Sequence, residues 1–136
     1  LGVRERNDIP ILIAEDSALL NALICDSLKK AGYCNVISCE NGKDAWNVIQ
    51  DCKAKDVLDE HVKLVITDIE MPQMDGHHLL KLIREDSATE EIPVIIFSSL
   101  INDEMRRKGE ALGANVQLTK PEIGNLVREI DALVLS

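Results

Sequence analysis

The chain has 136 residues, a formal net charge of -9 at pH 7, 46% hydrophobic residues and 29% charged residues. This length suits one domain with its own core, and the composition is that of a globular rather than a disordered chain. The negative charge argues against binding of nucleic acid or of an anionic membrane through electrostatics alone. Tyr33, Trp46 and Phe97 are the only aromatic residues, too few for a base-stacking platform.

The four cysteines show neither a C-x-x-C spacing nor a histidine at ligand spacing; they are Cys25, Cys34, Cys39 and Cys52. We therefore expect free thiols in a reducing cytoplasm rather than a zinc site. No apolar run approaches the length of a membrane span and no signal peptide is visible, so we expect no membrane insertion. The charged residues 1–8 are typical of a linker, and one domain is predicted over residues 9–135.

Short apolar runs alternate with stretches of helical spacing along this domain. Five runs have the continuous apolar character of strands buried on both faces; they are residues 9–14, 36–39, 64–68, 93–97 and 116–119. Five strands separated by helices predict a parallel sheet with right-handed crossovers and helices on both faces.

The predicted helices have recognisable ends. Ser17 can cap the first helix, and Gly32 ends it. Its inner face is predicted to carry Leu20, Leu23, Ile24, Leu28 and Ala31. Asn41-Gly42 is a hairpin signal, but the helical spacing that follows favours a helix. Charged residues 51–63 either extend that second helix or form a loop. Gly109 costs about 1 kcal/mol relative to Ala inside the fourth helix, so we expect that helix to be the least stable.

Polar side chains stand where four of the strands end. Because the carboxyl ends of parallel strands meet at one edge of the sheet, where ligands bind, we expect them to face one crevice. They are Glu15, Asp16, Asp68, Ser98 and Lys120.

Three of these five side chains are carboxylates, which converge if the first and third strands are neighbours. Two such charges about 4 Å apart repel by roughly 4 kcal/mol at an effective dielectric constant near 20. Mg2+ would remove that repulsion and prefers carboxylates together with water. Each acid could instead cap a helix, but the whole set favours a phosphoryl-transfer site with Asp68 as nucleophile, Ser98 as hydrogen-bond donor and Lys120 as cation.

At this point the chain resembles the receiver domains of two-component and chemotaxis signalling. The matching motifs cover nearly the whole chain in the right order; they are Glu15-Asp16, Asp68 with Met71-Pro72-x-Met74-Asp75-Gly76, Ser98 after residues 93–97, and Gly113-Ala114-Asn115 before Lys120-Pro121. The resemblance implies an α/β, flavodoxin-like (CheY-like) fold: three layers, (βα)5, with a five-stranded parallel sheet in the order 2-1-3-4-5.

The resemblance also implies roles for the site residues. Asp68 would accept a phosphoryl group from a histidine kinase, so the chain would be a signalling domain rather than an enzyme. Mg2+ would be held by Asp16, Asp68 and the backbone carbonyl of Glu70, with Glu15 acting through water. Lys120 would pair with the phosphoryl group and precede a cis peptide bond, and Ser98 would be the switch hydroxyl.

A narrower resemblance, over residues 96–100 and 113–124, is to the receiver half of CheV-type chemotaxis coupling proteins. It implies a CheA-like kinase as partner and attachment to the chemoreceptor array through a preceding coupling domain. Other interpretations stay open: the receiver of a DNA-binding response regulator, a stand-alone or hybrid-kinase receiver, and last a haloacid-dehalogenase-type phosphatase. The phosphatase class requires an Asp two residues after the nucleophile, where this chain has Glu70.

Several positions depart from the receiver pattern or are ambiguous. Glu15 replaces a commoner Asp, and Gln117 stands where many receivers have Tyr or Phe, so we expect no output through an aromatic switch. Apolar Leu100 is predicted to hinder the attacking water and lengthen the phosphoryl lifetime. His77-His78 is predicted to be a surface pair, and Trp46 to be partly buried.

Overall fold

The computed structural model describes residues 5–99, 101–120 and 123–135. Its five strands pair in parallel in the order β2-β1-β3-β4-β5. The strands are β1 Ile11–Ala14, β2 Val36–Cys39, β3 Leu64–Thr67, β4 Val94–Ser98 and β5 Val116–Thr119. The predicted flavodoxin-like fold and its strand order are therefore confirmed.

Helices cover both faces of the sheet; they are α1 Ala18–Ala31, α2 Gly42–Ala54, α3 Leu58–His61, α4 Gly76–Glu85, α5 Asp103–Leu112 and α6 Ile123–Val134. Successive strand residues point to opposite faces, so Ile11 and Ile13 join a core with α1 and α6, whereas Leu12 and Ala14 join a second core with α2 and α4. Within the described ranges, no helix has the length and apolar character needed to cross a bilayer.

The predicted helix ends are confirmed. Ser17 Oγ accepts a hydrogen bond from the Leu20 amide, and Gly32 ends α1 with φ of 105°. Asn41 caps α2 by accepting from the Asp44 amide at 2.8 Å, so Asn41-Gly42 opens a helix and not a hairpin. Residues 51–63 were predicted either to extend the second helix or to form a loop, and each holds for part of the segment. Helix α2 extends to Ala54, and a turn and the short helix α3 follow it.

The predicted inner face of α1 is confirmed at Ile24 and Leu28 and wrong at Leu23. The buried positions are Asn21, Ile24 and Leu28, whereas Leu23 is 47% exposed. Leu20 and Ala31 are partly buried, so the apolar spacing indicated the right phase for α1 and misplaced one residue.

The predicted surface pair His77-His78 is half wrong. His78 is exposed, but His77 is only 5% exposed and lies beside the Met105 backbone of α5. Burial, aided by the charge of Lys108, lowers the pKa of His77, so the imidazole packs as a neutral group. Trp46 is partly buried as predicted, and the four cysteines are free thiols.

Arg6, in the segment predicted to be a linker, is anchored to the domain. Its guanidinium donates to the two Asp131 carboxylate oxygens at 3.1 and 2.6 Å and to the Ala31 carbonyl at 2.7 Å. The buried Tyr33 hydroxyl donates to the same carboxylate at 2.5 Å. Burial alone would raise the pKa of Asp131, but these two donors outweigh it and hold the pKa below its ordinary value.

We expect Asp131→Asn to lower the free energy of unfolding by about 1.5 kcal/mol at pH 7, because hydrogen bonds to a charged group are worth about that much. A carboxylate with a lowered pKa contributes stability that is complete above its ordinary pKa, 3.8 here, and is lost as the pH falls through the lowered value. Urea unfolding of both proteins should therefore show a difference that shrinks below pH 3.8.

The matched control is Asp26→Asn, which removes an exposed partner of Lys30 on α1. Exposed pairs one helical turn apart are worth about 0.5 kcal/mol or less. Equal losses in the two variants would contradict the assigned role of Asp131.

Candidate functional site

Three carboxylates meet at the carboxyl edge of the sheet. Glu15 and Asp16 follow β1, and Asp68 follows β3, which pairs with β1 so that Ala14 lies beside Thr67. Each acid offers an oxygen, and these oxygens lie within 4.8 Å of one another. Glu15 and Asp68 are buried and Asp16 is exposed. The structure thus brings together the three acids that the sequence placed at two strand ends.

Lys120, directly after β5, reaches into this cluster. Its Nζ lies 2.9 Å from Glu15 Oε1 and 3.0 Å from Asp68 Oδ2, and its side chain is 12% exposed. Burial would lower the pKa of Lys120, but the hydrogen bonds to both carboxylates raise it. Lys120 pairs with two of the three carboxylates, so its single ammonium compensates only part of their charge.

Burial raises the pKa of Glu15, while Lys120 and the Ser17 amide oppose that shift. The Ser17 amide donates to Glu15 Oε2 at 3.0 Å, so the carboxylate is oriented from the start of α1. Three carboxylates with oxygen donors only, two of them buried, form a donor set that suits a hard divalent cation such as Mg2+.

Backbone contacts fix the position of Asp68. Its Oδ1 accepts from the Ile69 amide at 2.7 Å, and its carbonyl accepts from the Thr67 hydroxyl at 2.9 Å. Glu70 follows in the loop with an exposed side chain. The loop closes at Gly76, the first residue of α4, whose amide donates to the Ile69 carbonyl at 2.8 Å.

Ser98 is buried at the end of β4, next to β3 in the sheet, and pairs in register with Thr119 of β5. Its strand therefore ends at the same edge as that of Asp68. Two predictions fall outside the described residues: the effect of Leu100 on the phosphoryl lifetime, and the cis peptide bond between Lys120 and Pro121.

Sequence reasoning missed Asn21. Its side-chain amide donates to the Glu15 carbonyl at 3.1 Å and to the Cys39 carbonyl at 3.2 Å, and its oxygen accepts from the Ser38 hydroxyl. This buried amide ties the end of β1 to the end of β2 beside the acids. Asn21 shares the helical spacing of Ile24 and Leu28, which indicates an inner position. Because Asn21 is polar, the pattern of apolar residues does not include it.

Gln117 holds α5 against β5. Its Nε2 donates to the Arg106 carbonyl at 3.0 Å. A Cβ on residue 109 would lie 2.3 Å from Gln117 Oε1, so the amide fits only because Gly109 has no side chain. The glycine that was predicted to weaken α5 therefore makes room for the residue that replaces an aromatic ring.

The sequence pattern of the response regulator receiver domain matches residues 11–131. The chain belongs to this family. The family that matches is the receiver domain and not the haloacid-dehalogenase-type phosphatase, and the match covers nearly all of the chain.

Known chemotaxis proteins are among the relatives of this chain. The chain is 29% identical over 133 residues to the chemotaxis protein CheV3 of Helicobacter pylori, covering 96% of this chain but only 42% of CheV3. It is 30% identical over 125 residues to the chemotaxis protein CheY1 of the same species, covering 92% and 95% of the two chains. The structure of CheY4 from Vibrio cholerae superposes with a TM-score of 0.79 at 24% identity, covering 93% of this receiver domain and 98% of CheY4, which supports the fold.

We expect Asn21→Ala to lower the free energy of unfolding by about 2 kcal/mol, because it strips the Glu15 carbonyl of a buried donor. The control, Asn47→Ala, alters an exposed amide on α2 and should change stability by about 0.5 kcal/mol or less. Urea unfolding measures both, and a loss no larger than that of the control would contradict the role given to Asn21.

A double-mutant cycle tests the contact between Gly109 and Gln117. Gly109→Ala should stabilise a Gln117→Ala background by about 1 kcal/mol through helix propensity. In the wild-type background the gain should vanish, because the new methyl displaces Gln117 from the Arg106 carbonyl and a hydrogen bond worth about 1 kcal/mol is lost.

Gly124→Ala is the control for this cycle, because a Cβ there meets nothing within 4 Å. Its effect on urea unfolding should be the same in both backgrounds. An equal gain from Gly109→Ala in both backgrounds would show that Gln117 and Gly109 are not coupled.

Proposed function

We propose that this receiver domain takes a phosphoryl group onto Asp68 from the phosphohistidine of a histidine kinase, with Mg2+ bound by the neighbouring acids. The single observation that supports this most strongly is the position of Lys120, which pairs with Glu15 and Asp68 at once. An ammonium shared between a metal-binding acid and a nucleophilic acid is placed to follow the charge when a phosphoryl group arrives.

In the proposed transfer, a carboxylate oxygen of Asp68 attacks the phosphorus atom. A phosphorus–oxygen bond forms, the phosphorus–nitrogen bond of the donor breaks, and the histidine nitrogen keeps the electron pair. The Ile69 amide at 2.7 Å from Oδ1 orients the carboxylate before the attack. Lys120 then moves from the carboxylates to a phosphoryl oxygen, and the Ser98 hydroxyl donates to another.

Glu15, Asp16, Asp68 and the Glu70 carbonyl are the groups that would hold Mg2+. The bound ion would neutralise charge on the phosphoryl oxygens and bring donor and acceptor together. The chain's own contribution is to keep the acids converged before the ion binds, through the pairing of β1 with β3 and the hydrogen bond from the Ser17 amide.

We further propose that the domain serves chemotaxis as the receiver of a CheV-type coupling protein. The similarity to CheV3 extends over 96% of this chain, and residues 113–124 carry the CheV-like motif. The kinase would then be CheA-like, and a coupling domain would connect the receiver to the chemoreceptor array. The other candidate output is transcription. A basic helical domain after the receiver would favour transcription, whereas a coupling domain before the receiver would favour chemotaxis.

Output would differ from receivers with an aromatic switch. Gln117 bonds α5 through the Arg106 carbonyl, and α5 follows the loop after β4, where Ser98 lies. A shift of Ser98 toward the phosphoryl group would pull on that loop and so on α5. The domain is proposed to act through this change rather than by turnover, with one phosphoryl group per chain and its own slow hydrolysis as the only reactions.

Acetyl phosphate with Mg2+ should add one phosphoryl group to the wild-type chain and none to Asp68→Asn, as read by intact mass. Asp59→Asn is the matched control, because Asp59 is exposed on α3 and should leave phosphorylation unchanged. Beryllofluoride with Mg2+ should change Trp46 fluorescence in the wild type and the control only.

Phosphorylation of Asp68→Asn at the wild-type level would contradict the proposed acceptor. Continuous release of phosphate from general phosphate esters would instead indicate an enzyme.

A further inference from the structure

Gly42, the first residue of α2, touches the loop that leaves the phosphoacceptor. It is buried, and its amide donates to the Met74 carbonyl at 3.2 Å. A Cβ on residue 42 would lie 2.4 Å from that carbonyl oxygen and 3.1 Å from Met74 Cβ. Contacts of a Cβ below 3.0 Å are essentially never seen, so no side chain fits unless the backbone of the loop moves by about 0.6 Å.

A second contact of the same kind closes the loop at its other end. The Gly76 amide donates to the Ile69 carbonyl at 2.8 Å, and a Cβ on residue 76 would lie 1.9 Å from the Asp68 carbonyl oxygen. The segment from Ile69 to Asp75 is therefore held between two glycines. It contains Glu70, whose carbonyl belongs to the proposed Mg2+ site.

The loop between these contacts is tightly turned. Gln73 has a φ of 69°, in the left-handed region, and the Met74 amide donates to the Pro72 carbonyl at 2.7 Å. The hydrogen-bonded carbonyls of Ile69 and Pro72 lie on either side of Glu70 and restrain this short segment. A shift at Met74 therefore reaches the Glu70 carbonyl only a few residues away.

We propose that Gly42 is a positioning residue: through the Met74 carbonyl it fixes the loop that carries Glu70 and so sets the affinity of the site for Mg2+. This inference rests on the proposed function. Mg2+ requires nearly ideal octahedral geometry, so a carbonyl ligand displaced by a fraction of an ångström binds it less well. In this proposal Gly42 acts through Met74 and is not itself a ligand of the ion.

Helix formation does not explain the glycine. Gly42 is not among the residues with positive φ, and Asn41 already caps α2. Alanine at the first helical position would be at least as favourable for the helix. The close approach to Met74 is therefore the feature that requires glycine here.

Calorimetric Mg2+ titration of Gly42→Ala and of the control Gly124→Ala tests the proposal. Gly42→Ala should raise the Mg2+ dissociation constant about 10-fold, the lower end of the loss typical for groups that orient metal ligands. Gly124→Ala places its methyl in open space and should bind like the wild type. At saturating Mg2+, phosphorylation of Gly42→Ala by acetyl phosphate should return to the wild-type rate, because the defect lies in metal affinity.

An amide NMR titration of the wild-type chain tests the same contact without a substitution, in case Gly42→Ala folds poorly. Mg2+ should shift the Gly42 resonance through the loop and leave the Gly124 resonance in place. A wild-type dissociation constant in Gly42→Ala, or an unmoved Gly42 resonance in a chain that binds Mg2+, would overturn the inference. A wild-type chain that does not bind Mg2+ would contradict the proposed function itself.

Discussion

The ion pairs of Lys120 with Glu15 and Asp68 are the interaction on which the rest of the site depends. Two carboxylates from neighbouring strands are buried together, and burial of like charges is unfavourable unless a cation compensates them. The ammonium of Lys120, at 2.9 and 3.0 Å, supplies part of that compensation. It can do so because β1, β3 and β5 end at the same edge of one parallel sheet. The fold therefore creates both the charge imbalance and the means by which a metal ion and a phosphoryl group would be bound.

Polar and backbone contacts around this cluster determine its geometry. Asn21 joins the ends of β1 and β2, and the Ser17 amide orients the carboxylate of Glu15. Gly42 and Gly76 hold the loop that follows Asp68 from either side. These contacts lie outside the reacting groups, yet each limits where an acid or a loop carbonyl can stand. Preorganisation of this kind is what allows a small set of acids to bind a metal ion with a defined geometry.

The sheet and its reactive edge were predictable because buried parallel strands are continuous apolar runs, and a polar residue directly after such a run must stand at the rim. The ends of α1 were predictable because Ser17 and Gly32 have strong positional preferences. The exposure of Leu23 and the burial of Asn21 in α1 were not predictable from the spacing, because both depend on what the helix packs against. The burial of His77 and the reason for Gly109 were also hidden. Both depend on contacts with other elements, and no local pattern in the sequence records those contacts.

Phosphorylation at Asp68 is tested most directly by locating the acyl phosphate in the chain. Borohydride reduces an acyl phosphate to an alcohol, so a phosphorylated aspartate becomes homoserine and can be found by peptide mass spectrometry. After treatment with acetyl phosphate and Mg2+, we expect homoserine at position 68 alone. A reduced side chain at Glu15 or Asp16, or none at any position after phosphorylation has been measured, would contradict it.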